Sequence, residues 1–383
     1  MTRIENNIRR GSILKKIGIL VNRIDKGAAE LLETNLAKDL TKLDYDVYLI
    51  PMYSSKRFND SEIEEKLADE ISHIIRLNYD LKNNPIILLK NIFKVKSLKL
   101  DCLISHNKGT DFLSYIISVG TSTKHIKAFH EYFERLPQIS YVDKIWSFII
   151  KNTDYSYHIT QHSLIKNSKI FNLEKSKTSI VQNILKKNIK NKSTYNINES
   201  CKIPIKSKII LTVARIMQNK GIELNIEIVR PLLQQDNNLY YIIAGDTDMD
   251  IKYYNKLLTI IHNSNLGKQI LFIGFQKNIA GLMKSADVLL HFARHEAFGL
   301  VLIEALHTKL PIVASNVGGI PDVLKKSSFQ TFPLKYLDQA REELKKYIYE
   351  QKKENYDFSS DFDSRTSEER AKEISQIIEK VCI

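Results

Sequence analysis

Along the chain, short apolar runs alternate with longer stretches whose apolar positions recur every three or four residues. The runs in the first half are KIGILV (16–21), YDVYLI (45–50), DCLISH (101–106), STKHIKAF (122–129), YSYHIT (155–160) and SIVQN (179–183). In the second half they are KIILTVA (208–214), LYYIIAG (239–245), QILFIGF (269–275), VLLHFA (288–293) and PIVAS (311–315). Strands buried on both faces read as continuous apolar runs, and helices between them supply the cover, so the pattern predicts parallel sheets wound on both sides.

The two series are separated by a polar stretch rich in Asn, Lys and Ser. The predicted organisation is therefore a Rossmann-like domain over 1–190, a linker over 191–206, a second Rossmann-like domain over 207–360 and a terminal helix over 361–383. In that last segment Ile374, Ile377, Ile378 and Val381 are spaced as one helix face. Open α/β sheets bind ligands at the carboxyl ends of their strands, and two in tandem are expected to present those ends to a shared central cleft.

With 383 residues and 43% hydrophobic positions, each domain has enough apolar side chains for its own core. Cys102, Cys201 and Cys382 are scattered without CxxC spacing, which argues against a disulfide framework or a cysteine-built zinc site. The opening stretch lacks the apolar core of a secretory signal, and no run of about 18 apolar residues occurs, so a cytoplasmic, non-spanning protein is expected. The net charge is +13; residues 1–200 hold 32 basic and 22 acidic side chains, the rest 25 and 22. The basic excess thus belongs to the first half, and charge alone does not choose among nucleic acid, membrane and anionic substrate. No stacking platform of interleaved aromatic and basic residues is recognisable, and nucleic acid is not an expected partner.

Candidate chemistry concentrates in the second half. In IILTVARIMQNKGIEL a strand ends at Arg215, and a short loop delivers Lys220 ahead of a helix whose free amides would complete a diphosphate site. In VLLHFARHEAFGLVLIEALHTKLPIVASNVGGIPDV a strand-end loop carries Glu296 and the following helix Glu304, two carboxylates suited to sugar and ribose hydroxyls. The turn from Asn316 to Gly319 lets the backbone approach a ligand closely. Asp246, Asp248 and Asp250 in DTDMD imitate an Asp-x-Asp metal motif and are read as a solvated turn, with no metal expected.

Taken in order, these segments resemble the donor-binding domain of glycosyltransferase family 4, retaining enzymes of the GT-B fold, over 207–323. The resemblance implies that Arg215 and Lys220 hold the donor diphosphate, that Glu296 contacts the donor sugar and that Glu304 takes the ribose. Phe298, Gly299 and Leu300 would line the donor, with helix-terminal amides offered to the leaving group. It further implies a nucleotide sugar, with uridine diphosphate favoured, as co-substrate, no cofactor, and a glycan or glycolipid acceptor. Lys309 and Thr247 stand where the family commonly has glycine, and Asp322 replaces its usual glutamate.

In the first half, GAAE resembles the start of the family's first helix, with Gly27 placed to let the donor phosphate approach. His130 resembles by position the family histidine beside the donor sugar, and His106 falls on the acceptor side. Glu296, His130, Arg215 and Lys220 form the expected catalytic set. Residues 81–100 mix five lysines with Ile86, Ile87, Leu88, Leu89, Ile92, Phe93 and Leu98. They could seat the domain peripherally on an anionic membrane, but Pro85 and the mixed pattern favour a helix and strand packed on the sheet with lysines in water. Two alternatives to a surface-polysaccharide or lipopolysaccharide glycosyltransferase stay open at this point: a nucleotide-sugar 2-epimerase of the same fold, and a non-enzymatic membrane or nucleic-acid binding module.

Overall fold

A computed structural model describes residues 14–24, 28–53, 67, 70–71, 73–77, 85–134, 140–184, 195–350, 356–360 and 365–383. The chain divides into two compact units, one of residues 1–183 with 366–383, the other of 184–365.

The first unit is built on a parallel sheet of β1 (Lys16–Val21), β2 (Asp46–Pro51), β3 (His73–Ile74), β4 (Cys102–Ser105), β5 (Lys124–Phe129), β6 (Tyr155–His158) and β7 (Thr178–Ile180). Their order is β3-β2-β1-β4-β5-β6-β7, so the winding reverses between β1 and β4. The helices are α1 (Ala28–Lys42), α2 (Pro85–Ser97), α3 (Lys108–Ser118), α4 (Tyr141–Lys151) and α5 (Gln161–Phe171). Side chains define their starts: Asn107 with Thr110 and Ser140 with Asp143 form capping boxes on α3 and α4, and Thr160 caps α5. Pro85 opens α2 instead of spoiling it, because the first helical position needs no amide and a fixed φ favours the helix there.

The second unit holds β8 (Lys208–Val213), β9 (Leu239–Ala244), β10 (Ile270–Phe272), β11 (Val288–His291), β12 (Ile312–Ser315) and β13 (Thr331–Phe332), all parallel, in the order β10-β9-β8-β11-β12-β13. Its helices are α6 (Ile222–Gln235), α7 (Ile251–Asn263), α8 (Ile279–Lys284), α9 (Leu300–His307), α10 (Ile320–Leu324) and α11 (Leu337–Lys345). The alternation of runs and helical stretches is thus realised as two doubly wound parallel sheets. β3 and β13, two residues each, were not predicted, because so short a pairing has no period to read.

The expected linker contains structure of its own. Residues 195–206 belong to the second unit, and Ile197 on the helical turn Ile197–Ser200 is fully buried. The terminal helix α12 (Ser367–Val381) starts at a capping box of Thr366 and Glu369 and returns to the first unit. Its predicted face meets the core there: Ile374, Ile377 and Ile378 are buried with Leu36, Leu40 and Val47.

Candidate functional site

In the second unit the winding reverses between β8 and β11, and the loops after these two neighbouring strands adjoin. Such a reversal leaves a crevice outside the strand ends, the usual ligand position of open α/β sheets. The loops are tied together by the backbone: the Asn219 carbonyl accepts the Arg294 and His295 amides at 2.9 and 3.0 Å. Gly221 makes the approach possible, for its φ is +60° and an added Cβ would lie 2.4 Å from the Phe292 carbonyl.

This junction brings Lys220 to Glu296, with Nζ 2.8 Å from Oε2 and both side chains mostly buried. The same oxygen accepts a second hydrogen bond, from Nε2 of buried His291 at 3.0 Å. Burial alone would raise the Glu296 pKa, but the His291 hydrogen bond and the Lys220 charge outweigh it and hold the carboxyl well below the usual range. The group stays ionised at neutral pH. The Gly319 amide donates to the Glu296 carbonyl at 2.9 Å, so the Asn316–Gly319 turn positions the carboxylate loop.

The other residues expected to bind the donor lie just past β8 and around the start of α9. Arg215, just past β8, is exposed, and its guanidinium makes no hydrogen bond or ion pair among the described residues. Gly299 adopts φ +91° immediately before α9, a conformation L side chains rarely take, and an added Cβ would meet Leu302 at 2.9 Å. Leu300 is partly exposed at the first position of α9, Glu304 is partly buried one turn further on, and Phe298 is buried.

One expectation is corrected. The amides opening α6 are already occupied: the Tyr253 hydroxyl accepts from Ile222 and Glu223 at 2.9 and 3.4 Å and donates to the Glu223 carboxylate, while Leu224 and Asn225 donate to the Gly221 carbonyl. Arg294 pairs with Glu223 at 2.7 Å and closes the arrangement. An anion beside Lys220 would be met by side-chain cations, not by the end of α6. In the DTDMD loop, Asp246 accepts the Asp248 amide and Asp250 caps α7 through the Tyr253 amide, so both carboxylates have turn-forming work.

Within the first unit, His106 and His130 follow the adjacent strands β4 and β5, their rings edge to face at 6.0 Å. His130 Nε2 donates to Glu33 Oε1 at 3.0 Å, and Arg370 of α12 donates to that same oxygen at 2.9 Å. Burial opposes the charge on Glu33, yet Arg370 and His130 outweigh it and lower the pKa to about 2. His106 is pushed down to about 4 by burial. Gly27 lies outside the described residues. The sequence reading missed His291, Glu33 and Arg370. A polar residue at the end of the apolar run VLLHFA was a usable signal for His291, whereas nothing local joins Glu33 to Arg370.

Residues 195–356 match the family described as glycosyl transferases group 1. An uncharacterized glycosyltransferase of Haemophilus influenzae is 26% identical over 321 residues, 79% of this chain and 81% of that protein. An O-antigen biosynthesis glycosyltransferase of Escherichia coli is 29% identical over 147 residues, 38% of this chain and 39% of the other. Several other curated relatives are likewise matched over less than half their length. Among solved structures, a protein of Anabaena in complex with UDP and glucose superposes with a TM-score of 0.70 at 16% identity, over 96% of this chain and 98% of that one, a likeness of fold.

Proposed function

We propose, from the match of residues 195–356 to the group 1 glycosyltransferases, that the chain moves a sugar from a uridine diphosphate donor to a hydroxyl of a glycan or glycolipid, with retention at the anomeric carbon. The observation that carries this reading is the ionised Glu296 held by Lys220 and His291 at the crevice where the second sheet reverses its winding. A carboxylate kept charged and partly desolvated there is a strong acceptor for sugar hydroxyls, and Lys220 and Arg215 supply positive charge for a diphosphate.

In the proposed reaction the bond from the anomeric carbon to the phosphate oxygen breaks, and negative charge grows on the diphosphate. Lys220, Arg215 and the amides opening α9 stabilise that charge, which is where a fixed electrostatic site lowers a barrier most. The acceptor hydroxyl attacks from the face the diphosphate leaves, a new bond from carbon to oxygen forms, and the acceptor proton passes to the departing phosphate oxygen. Glu296 orients the sugar and Glu304 takes the ribose. The structural duties of Asp246 and Asp250 support transfer without a divalent ion. The UDP complex of the Anabaena protein supports the nucleotide, and the O-antigen relative supports a surface-polysaccharide or lipopolysaccharide acceptor.

The test is incubation of the full chain with UDP and GDP sugars and lipid-linked glycan acceptors, with chelator present. Release of nucleoside diphosphate and a retained anomeric configuration by NMR are expected. An inverted product, a strict need for added divalent ion, or epimerised nucleotide sugar as sole product would overturn the reading.

A further inference from the structure

Cys102 and Cys382 lie far apart in the chain, with the whole of the second unit between them, yet they meet in the first. Cys102 opens β4 and is fully buried, whereas Cys382 directly follows α12 and is partly exposed. The helix brings it there: Ala371, Ile374 and Ile378 are buried in the same apolar cluster as Cys102, and Cys382 packs against that cluster. The Cys382 thiol lies 3.7 Å from the carbonyl oxygen of Asp101, the neighbour of Cys102, and the two thiols are in hydrogen-bonding contact. The scattered spacing that argues against a disulfide framework does not register this pair, because only the return of α12 creates it.

The two sulfurs are not equivalent. The hydrogen bond from Cys102 and the charge of Lys15 lower the Cys382 pKa against burial and the acids Asp101 and Glu379. Cys102 is raised well above the ordinary thiol value by its bond to Cys382 and by burial. Lys15 is held beside them by Glu379 at 2.6 Å, and the Tyr45 hydroxyl donates to the same carboxylate at 2.8 Å. The thiolate is the reactive form of cysteine, so an accessible sulfur that ionises easily, backed by a buried thiol, has the layout of an attacking and a resolving cysteine. Cys201, in the second unit, is raised by burial and serves as the internal comparison.

We propose that Cys102 and Cys382 form a redox site that exchanges with small-molecule disulfides and closes into a covalent staple between β4 and α12. The Cys382 thiolate attacks one sulfur of the small disulfide, forming a mixed disulfide and releasing one thiolate. Cys102 then attacks the Cys382 sulfur, the protein disulfide forms and the second thiolate leaves. The two protein thiols give up two electrons, the small disulfide is reduced to two thiols, and the two protons pass from the cysteines to the leaving sulfurs. The staple fixes the returning helix, and Arg370 with it, at the amino end of β4, away from the strand ends where open α/β sheets bind ligands. The inference is independent of the donor chemistry, since all of it lies within the first unit.

Incubation of the folded full chain with oxidised glutathione, followed by alkylation and peptide mapping, tests the site. Cys102 and Cys382 should be recovered as one cross-linked pair with Cys201 alkylated, and dithiothreitol should restore both thiols. Cys102→Ala should stop at a glutathione adduct on Cys382, and Cys382→Ser should leave Cys102 unmodified, because that thiol is buried. On oxidation, amide exchange in α12 should slow at least about tenfold, since the helix can no longer leave the sheet. A glutathione adduct that persists in the parent chain, a cross-link to Cys201, a Cys102–Cys382 link that forms only in urea, or α12 exchange unchanged by oxidation would overturn the proposal. The peptide map and the exchange measurement use the parent chain, so they decide the matter even where Cys102→Ala fails to fold.

Discussion

The ammonium of Lys220 and the carboxylate of Glu296, 76 residues apart in the chain, meet at 2.8 Å. Each follows one of two neighbouring strands at the point where the second sheet reverses its winding. If that pair carries the transfer reaction, Lys220→Ala and Glu296→Ala each lower kcat by about a hundredfold or more, the scale of losing one preorganised electrostatic group. Circular dichroism of both variants should match the parent. Near-normal turnover in either variant would remove the pair from the mechanism.

His291 touches Glu296 from the protein side, so its effect should pass through that carboxylate. A hydrogen bond to a charged acceptor is worth about 2 kcal/mol, near thirtyfold in rate if it is fully expressed in positioning. His291→Ala should therefore lower kcat more than it raises KM, and His291→Gln, which keeps a donor, should recover much of the loss. Steady-state kinetics of the two variants separate this role from simple loss of packing, which Gln would not restore.

Gly221 permits the joint between the two loops. Gly221→Ala places a Cβ against the Phe292 carbonyl in a left-handed conformation, and should destabilise the second unit by about 2 kcal/mol or more while weakening activity. Lys309 gives the opposite sign. Its φ is +55°, which accounts for the glycine common there in the family it resembles, so Lys309→Gly should be neutral or stabilising by urea denaturation.

Acid should act first on the first unit. His106 and His125 are buried neutral, with pKa values lowered from 6.5 to about 4, and His158 is lowered to about 3, burial being the main cause in each. The unfolded chain binds these protons at higher pH than the folded one. The stability they contribute is complete above about pH 6.5 and is lost as pH falls toward 4 and 3. Hydrogen exchange at pH 7 and 5 should show protection falling in β4–β6 more than in β8–β12.

A buried ion pair, beside the apolar face, ties the last helix to the first unit. Arg370→Met leaves Glu33 without its main counter-charge and should cost about 3–5 kcal/mol, while Glu33→Leu with Arg370→Met should recover most of that loss. Chemical denaturation of the single and double variants checks the coupling. Equal losses in both would mean that the packing of α12, not the charge pair, sets the stability.

The sequence by itself determined what local chemistry encodes. Continuous apolar runs such as VLLHFA and KIILTVA announced buried parallel strands, because such strands are covered on both faces. The spacing of Ile374, Ile377 and Ile378 announced a helix face, and the order of Arg215, Lys220, Glu296 and Glu304 carried the resemblance to a donor-binding domain. Only the tertiary structure decided which groups meet. It sent α12 back to the first unit, placed Tyr253 on the amides expected to be free, joined His291 to Glu296, and turned Phe93 and Tyr141 outward. Those outcomes depend on strand order and loop closure, which bring together residues far apart in the chain, and no local pattern of apolar and polar positions records them.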